Sequence, residues 1–287
     1  MPSPLNKTLR LTETEKKKPV PKLPVDLSKI TSGIYHADII EAVRRFPNAS
    51  FDLIIADPPY NNGLDFGNTS DKQPEEQYRK WVSTWIKELP RIATATASIY
   101  ICCDWKHSGF FQEELETAGF TILNRITWKR DKGRGATRNW KQNMEDIWYA
   151  VKDPKHYTFN LNEVKIKKPV IAPYRSDGKP KDWYVNEEGE PERLTHPSNI
   201  WIDLTVPFWS MPENTEHPTQ KPELLIERLI QASSKTGDRI LDLFSGSGTT
   251  SVVATRLGRH VVGLEINPDF VRIGLKRLAL ARKKAGK

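Results

Sequence analysis

Short apolar runs alternate with amphipathic stretches along most of this chain from Gly33 onward. That alternation predicts parallel strands covered by helices rather than an all-helical or all-strand architecture. Strands are expected at 34 to 37, 51 to 56, 98 to 103, 121 to 128 and 146 to 151, then at 239 to 242 and 260 to 265. Helices are expected at 39 to 46, 77 to 89, 223 to 233 and 250 to 257, with a basic one from about Pro268. The run Phe51-Asp52-Leu53-Ile54-Ile55-Ala56 is nearly continuous in apolar residues, as a strand buried on both faces must be. Trp81 and Trp85, spaced four apart on one helix face, read as core packing.

The periodicity fails in two places. Residues 61 to 74, rich in Asn, Gly and Asp, form a loop long enough to act as a lid. From 152 to 216 prolines, charges and aromatics are mixed, which signals an insertion rather than another strand and helix unit. The expected organisation is therefore a flexible basic arm at 1 to 30, one half-domain at 31 to 151, the insertion at 152 to 216 and a second half-domain at 217 to 287. A sizeable core is within reach of 287 residues.

The formal net charge of +8 fits a polyanionic partner, because a basic surface gains affinity by releasing condensed counterions. Basic runs such as Lys16-Lys17-Lys18 are also what solvated ends look like. A denser signal lies between 129 and 141, where Arg134 and Arg138 sit among glycines that allow close backbone approach to phosphates. An ordinary solvated loop is the alternative. Cys102 and Cys103 are adjacent in one strand and point to opposite faces, so neither a disulfide nor a metal site is expected. They read as small buried residues of a reduced, cytoplasmic protein. No stretch is apolar for long enough to span a bilayer, and residues 1 to 22 lack the apolar core of a secretory signal.

Candidate chemistry sits where two strands end. The first run stops on Asp57-Pro58-Pro59-Tyr60. Two prolines stiffen the turn and remove two N–H donors, so the Asp57 carboxylate and the Pro58 carbonyl can together face one small donor, such as a nucleobase amino group. Tyr60 adds a ring on which an unstacked base can lie, worth roughly 1–3 kcal/mol. The second strand end is Arg239-Ile240-Leu241-Asp242 followed by Leu243-Phe244-Ser245-Gly246-Ser247-Gly248-Thr249-Thr250, a glycine turn opening a helix. A dinucleotide fingerprint would need a third glycine where this chain has Ser251. Glu265 ends the next strand, placed to accept from ribose hydroxyls, or to cap the turn after it.

These motifs, in this order, resemble the β group of DNA amino-methyltransferases, over roughly residues 30 to 280. The resemblance implies an α/β, doubly wound, largely parallel sheet of the class I S-adenosylmethionine-dependent kind, circularly permuted, with a target-recognition region in the insertion. It implies a site-specific enzyme moving a methyl group from S-adenosyl-L-methionine to adenine N6 in a base flipped out of double-stranded DNA, since the tetrapeptide beginning with Asp looks like the adenine form. Asp57, Pro58, Pro59 and Tyr60 become the catalytic set. Phe244, Ser245, Gly246, Ser247, Gly248 and Thr249 would take the cofactor's tail, with Asp57 alongside. Glu265 would take the ribose, Asp38 with Ile39 the adenine, and Thr219 with Lys221 the carboxylate. Arg175 and Lys179 of the insertion join Arg134 and Arg138 as candidate DNA contacts. No metal is required. Relatives of this kind are often homodimers and belong to restriction-modification systems with a companion endonuclease.

Several readings stay open at this level. Cytosine N4 would suit the same acceptor pair, RNA or a protein amide is a more distant substrate, and a DNA-binding module without catalysis belongs to another class. Asp242 could serve only to bond the glycine turn, and Lys221 only to start a helix. Trp128 could be core or a second face of the base pocket.

Overall fold

Strand positions that are apolar on both faces have to lie in the middle of a sheet, and the run from Phe51 to Ala56 does. In the computed structural model, which describes residues 3–67, 70–130, 137–171 and 174–284, five of its six residues are buried. The elements up to the insertion are α1 (Glu13–Lys16), β1 (Gly33–His36), α2 (Ile39–Arg45), β2 (Phe51–Ala56), α3 (Glu75–Ile86), α4 (Leu89–Ile92), β3 (Ala93–Cys103), α5 (Ser108–Thr117), β4 (Thr121–Lys129) and β5 (Met144–Val151). The next interval holds β6 (Ile166–Pro169), β7 (Arg175–Ser176), β8 (Lys179–Pro180), β9 (Tyr184–Val185), β10 (Pro191–Thr195) and β11 (Ile200–Trp201). Then come α6 (Glu223–Ser233), β12 (Arg239–Asp242), α7 (Thr249–Arg256), β13 (His260–Glu265) and α8 (Pro268–Lys284).

Eight strands form one sheet in the order β1-β13-β12-β2-β3-β5-β4-β11. β1, β13, β12, β2 and β3 run parallel, whereas β5 is antiparallel to both of its neighbours. One apolar cluster, with Trp85, Phe111 and Ile54, fills one face of the sheet, and a second, with Leu53, Ile230 and Val253, fills the other. From β12 the chain turns to β13 on one side, and from β2 it turns to β3 on the other. The carboxyl ends of β2 and β12 therefore meet at the point where the winding reverses, the usual place for a crevice in open α/β sheets.

Three elements differ from the bounds expected by two residues or more. β3 begins at Ala93, five residues early, because Ala-Thr-Ala-Thr carries too little apolar bulk to look like a strand. α3 starts at Glu75, directly after Pro74, and stops before Leu89-Pro90. β5 starts at Met144, which brings Glu145 into the sheet.

Two segments are more integrated than their composition suggests. The N-terminal segment, expected to be a flexible arm, bridges Leu9 to Thr215 and Lys22 to His36, and Lys276 of α8 reaches the Arg10 carbonyl and the Glu15 carboxylate. Backbone pairing outweighs its charged composition. The interval from 152 to 216 does carry small sheets of its own, β6-β10-β9 and β7-β8. Yet β11 adds a strand to the main sheet beside β4, and Leu204 and Val206 are buried in its core. The two cysteines are free and buried.

Candidate active site

A cavity of about 360 Å³ opens at the carboxyl ends of β1, β2, β12 and β13. Asp57, Pro58, Pro59 and Tyr60 line one end, and Asp38, Ile39 and Glu265 line it on the β1 and β13 side. The loop after β2 contributes Leu64 and Phe66, with residues 70 to 73, so the segment expected as a lid forms part of the wall. Asp71 ties that loop down by accepting from the Asn62 and Leu64 amides, and Asn267 Nδ2 donates to the Phe66 carbonyl at 2.8 Å.

Asp57 is held through both of its carboxylate oxygens. The Tyr60 hydroxyl donates to its Oδ1 at 2.8 Å, and the Lys221 ammonium reaches Oδ1 and Oδ2 at 2.6 and 2.7 Å. Lys221 also lies 3.2 Å from Glu145 Oε2 and 3.2 Å from the Tyr60 oxygen. Burial opposes a charged ammonium, but the Asp57 and Glu145 carboxylates outweigh it and hold the Lys221 pKa above its ordinary value. Burial, with the same two carboxylates, raises the pKa of the Tyr60 phenol, so it stays a neutral donor. The Tyr60 ring is only half-buried and faces the cavity.

The two glycines of the turn after β12 are needed for different reasons. Gly246 has φ +50°, and a Cβ there would sit 2.8 Å from His217 Nε2 at the cavity wall. Gly248 has φ +80°, and its Cβ would meet Ile34 and the Gly274 backbone of α8 at 2.7 and 2.9 Å. Gly248 therefore makes its close approach to a helix and does not line the cavity. Ser245, Ser247 and Thr249 are also set apart from the cavity, lining a small recess behind Asp57 and Lys221. Arg277 of α8 fixes that stretch by donating to the Ser247 carbonyl and the Thr249 hydroxyl. Phe244 and Gly246 do face the cavity.

Glu265 accepts from the Gly246 amide at 2.8 Å through one oxygen and from the Asn267 amide at 2.7 Å through the other. Burial nonetheless raises its pKa. Asp38 caps α2 by accepting from the Glu41 amide, which leaves its second oxygen free of any hydrogen bond to the described residues. Thr219 lines the cavity, its amide donating to His217 Nδ1 at 3.3 Å. Burial pushes the His217 imidazole down to about 4, so it is a neutral ring, packed against Phe270 and Phe66. Asp242 accepts from the Phe244 amide, and burial raises its carboxyl to about 7.

Some residues stand where the sequence did not point. Glu145, 3% exposed, joins the Asp57 cluster, but the strand signal was legible only from Asp146 on. Phe66, His217 and Phe270 form an aromatic wall drawn from three distant segments. Trp81, expected in the core, lines the cavity beside Phe244, whereas Trp85 is buried. Trp128 belongs to the core: it is 1% exposed and its indole N–H donates to the Leu204 carbonyl. Arg138, Arg175 and Lys179 are exposed, and the Arg175 guanidinium lies 5.6 Å from the Trp183 ring centroid. Arg134 lies outside the described residues. Among the described residues no group of His, Cys, Asp and Glu is arranged to hold a metal ion, and no helix is long and apolar enough to cross a membrane.

Known proteins with these features are numerous. A family model described as DNA methylase matches residues 51–276. The DNA adenine methyltransferase YhdJ of Escherichia coli (strain K12) is 35% identical over 252 residues, covering 86% of this chain and 83% of its own. The type II methyltransferase M.HpaI of Haemophilus parainfluenzae is 35% identical over 243 residues, covering 84% of this chain and 72% of its own. Among solved structures, the M1.HpyAVI-SAM complex superposes with a TM-score of 0.59 at 25% identity, over 86% of this chain and 98% of the other. The cytosine-N4-specific PvuII DNA methyltransferase shares the fold, with a TM-score of 0.63 at 16% identity over 86% of each chain.

Proposed function

The chain belongs to the DNA methylase family, and on that premise we propose that it transfers the methyl group of S-adenosylmethionine to N6 of an adenine in double-stranded DNA. The observation that carries this reading is the position of Asp57-Pro58-Pro59-Tyr60 at the carboxyl end of β2, on the wall of the cavity that Glu265 and Asp38 also line. The choice of adenine over cytosine is supported by the tetrapeptide's leading Asp and by the name of the Escherichia coli relative.

S-adenosylmethionine is the cofactor, and the residues present suit it. The cavity is of ligand size, its walls are largely aromatic and apolar, and a half-buried carboxylate, Glu265, stands where a ribose diol would need an acceptor. Gly246 leaves open the space that a side chain would fill. Asp38 retains one oxygen for an adenine amino group, with Ile39 against the ring. Lys221 directs its ammonium at Asp57 and Glu145, so the cofactor's carboxylate falls to Thr219 and nearby amides instead. When bound, the cofactor supplies a methyl group made electrophilic by its sulfonium.

The chain's own groups do the rest. A base taken out of the duplex costs a few kcal/mol, which stacking on the Tyr60 ring offsets in large part. Asp57 and the Pro58 carbonyl accept the two N–H bonds of the amino group and turn its lone pair toward the methyl carbon, which is preorganisation of charge and alignment together. Nitrogen becomes cationic as the new bond forms, so its proton is then acidic enough to leave toward the Asp57 carboxylate and water. Action next to DNA inside the cell, a companion endonuclease and a homodimer belong to the same reading, on the strength of the family resemblance.

Incubating the protein with tritiated S-adenosylmethionine and duplex DNA, then separating the nucleosides, tests the proposal. Label in N6-methyladenine that disappears in Asp57→Ala is expected. Label in N4-methylcytosine, or none at all, would overturn it.

A further inference from the structure

A buried charge cluster stands behind the reacting carboxylate, and its far member has no part in the chemistry described above. Glu145 comes from β5, opposite Trp128 of β4, and its side chain is 3% exposed. It receives Arg130 Nη1 at 2.6 Å and Lys221 Nζ at 3.2 Å, with the Tyr60 hydroxyl 3.4 Å away. Two carboxylates and two cations thus share a space that is closed to water on most sides, with the Lys221 side chain itself only 7% exposed. Stability gives little reason for such a cluster, since apolar residues of similar volume commonly do as well or better. Orientation does give a reason. An ammonium has three donors, and one bonded only to Asp57 could swing with it or reach out into the cavity. Glu145 gives Lys221 a second carboxylate contact and is itself clamped by Arg130.

We infer that Glu145 is a positioning residue for methyl transfer: it fixes the Lys221 ammonium and, through it, the direction in which the Asp57 carboxylate and the Tyr60 hydroxyl face the substrate amine. It does not touch the reacting atoms. The inference rests on the assignment of Asp57 to the amine, and the control below separates the two.

The variant to make is Glu145→Gln, which keeps shape and removes the charge that holds Lys221. Single-turnover methyl transfer to duplex DNA should fall about tenfold to a hundredfold, the scale of a misaligned reacting group. Dissociation constants for cofactor and DNA should stay within about twofold, because Glu145 is buried and does not line the cavity. A crystal structure of the variant should show Lys221 shifted from its contact with both Asp57 oxygens. A near-native rate, an unchanged Lys221 to Asp57 contact in a slow variant, affinity lost in step with rate, or a chain that fails to fold would each overturn the inference. The unaltered protein is the control: if it transfers no methyl group, the function proposed above fails rather than the role of Glu145.

Discussion

The Tyr60 hydroxyl donates to the Asp57 carboxylate at 2.8 Å while its ring keeps a face toward the cavity. One side chain is therefore placed both to fix the acceptor and to offer a ring to the cavity, where the proposed function puts the base. Removing the hydroxyl alone should be felt. Tyr60→Phe is expected to lower kcat/KM roughly tenfold, the size of a hydrogen bond to a charged group. Tyr60→Ala should lose a further 1–3 kcal/mol or so of base stacking. Steady-state kinetics on one duplex substrate checks both steps: a fully active Phe variant would remove the hydroxyl from the argument, and equal Phe and Ala variants would remove the ring.

Glu265 holds the Gly246 and Asn267 amides as well as facing the cavity. Glu265→Ala should raise the dissociation constant for S-adenosylmethionine tenfold or more, since a charged hydrogen bond is worth about 1.5–3 kcal/mol. DNA affinity measured without cofactor should not change. Calorimetry giving native cofactor affinity would refute the ribose contact.

Asp242 makes stability depend on pH in an unusual direction. Its folded pKa, about 7, lies above the ordinary carboxyl value of about 3.9. The raised value means that its contribution is fully present below about pH 4 and is lost as pH rises toward 7. Asp242→Asn mimics the protonated form and keeps an acceptor for the Phe244 amide. The variant should therefore gain stability relative to the native chain between pH 5 and pH 8, by at most about 4 kcal/mol. Denaturant melts of both at the two pH values decide it, and a constant difference would contradict the buried, protonated state.

Arg138, Arg175 and Lys179 are exposed cations on and after the basic loop, and Arg134 belongs to the same loop sequence. If they meet phosphates, neutralising any one should weaken all duplexes alike and flatten the salt dependence by about 0.9 log units per contact removed. A variant that loses only the cognate site, by roughly 1–3 kcal/mol, would instead be reading a base edge. Binding to cognate and scrambled duplexes at two salt concentrations distinguishes these, and no change in either would exclude DNA contact by that residue.

Most of the sheet could be read from the sequence because its strands are buried on both faces and so appear as unbroken apolar runs. β3 was legible only from Ser98, since small and hydroxylated residues hide its first stretch, at the end of the sheet away from the crevice. The tetrapeptide after β2 and the glycine turn after β12 were visible because special chemistry and special backbone need rare residue types. What sequence could not supply is partnership across distance. Lys221 looked like a donor for a ligand, and only the fold shows that Asp57, 164 positions away, occupies it. Gly248 looked like a ligand contact for the same reason, because a glycine required by helix packing and one required by a cofactor leave the same trace. The N-terminal segment misled in the other direction: charge and proline suggested a free arm, whereas its backbone pairs with residues around Thr215 and His36.

The strand order β1-β13-β12-β2 also has a consequence for how the protein is born. β1 and β2 leave the ribosome early but cannot pair with each other; the two strands that belong between them are synthesised last. Until β12 and β13 emerge, the early strands lack their neighbours in the middle of the future sheet, and pairing them closes loops of 187 residues for β2 with β12 and 229 for β1 with β13. Such non-local closure is slow and exposes apolar edges while it waits. The crevice, lined by Asp57 after β2 and by Glu265 at the end of β13, is therefore complete only once β12 and β13 have joined the early strands.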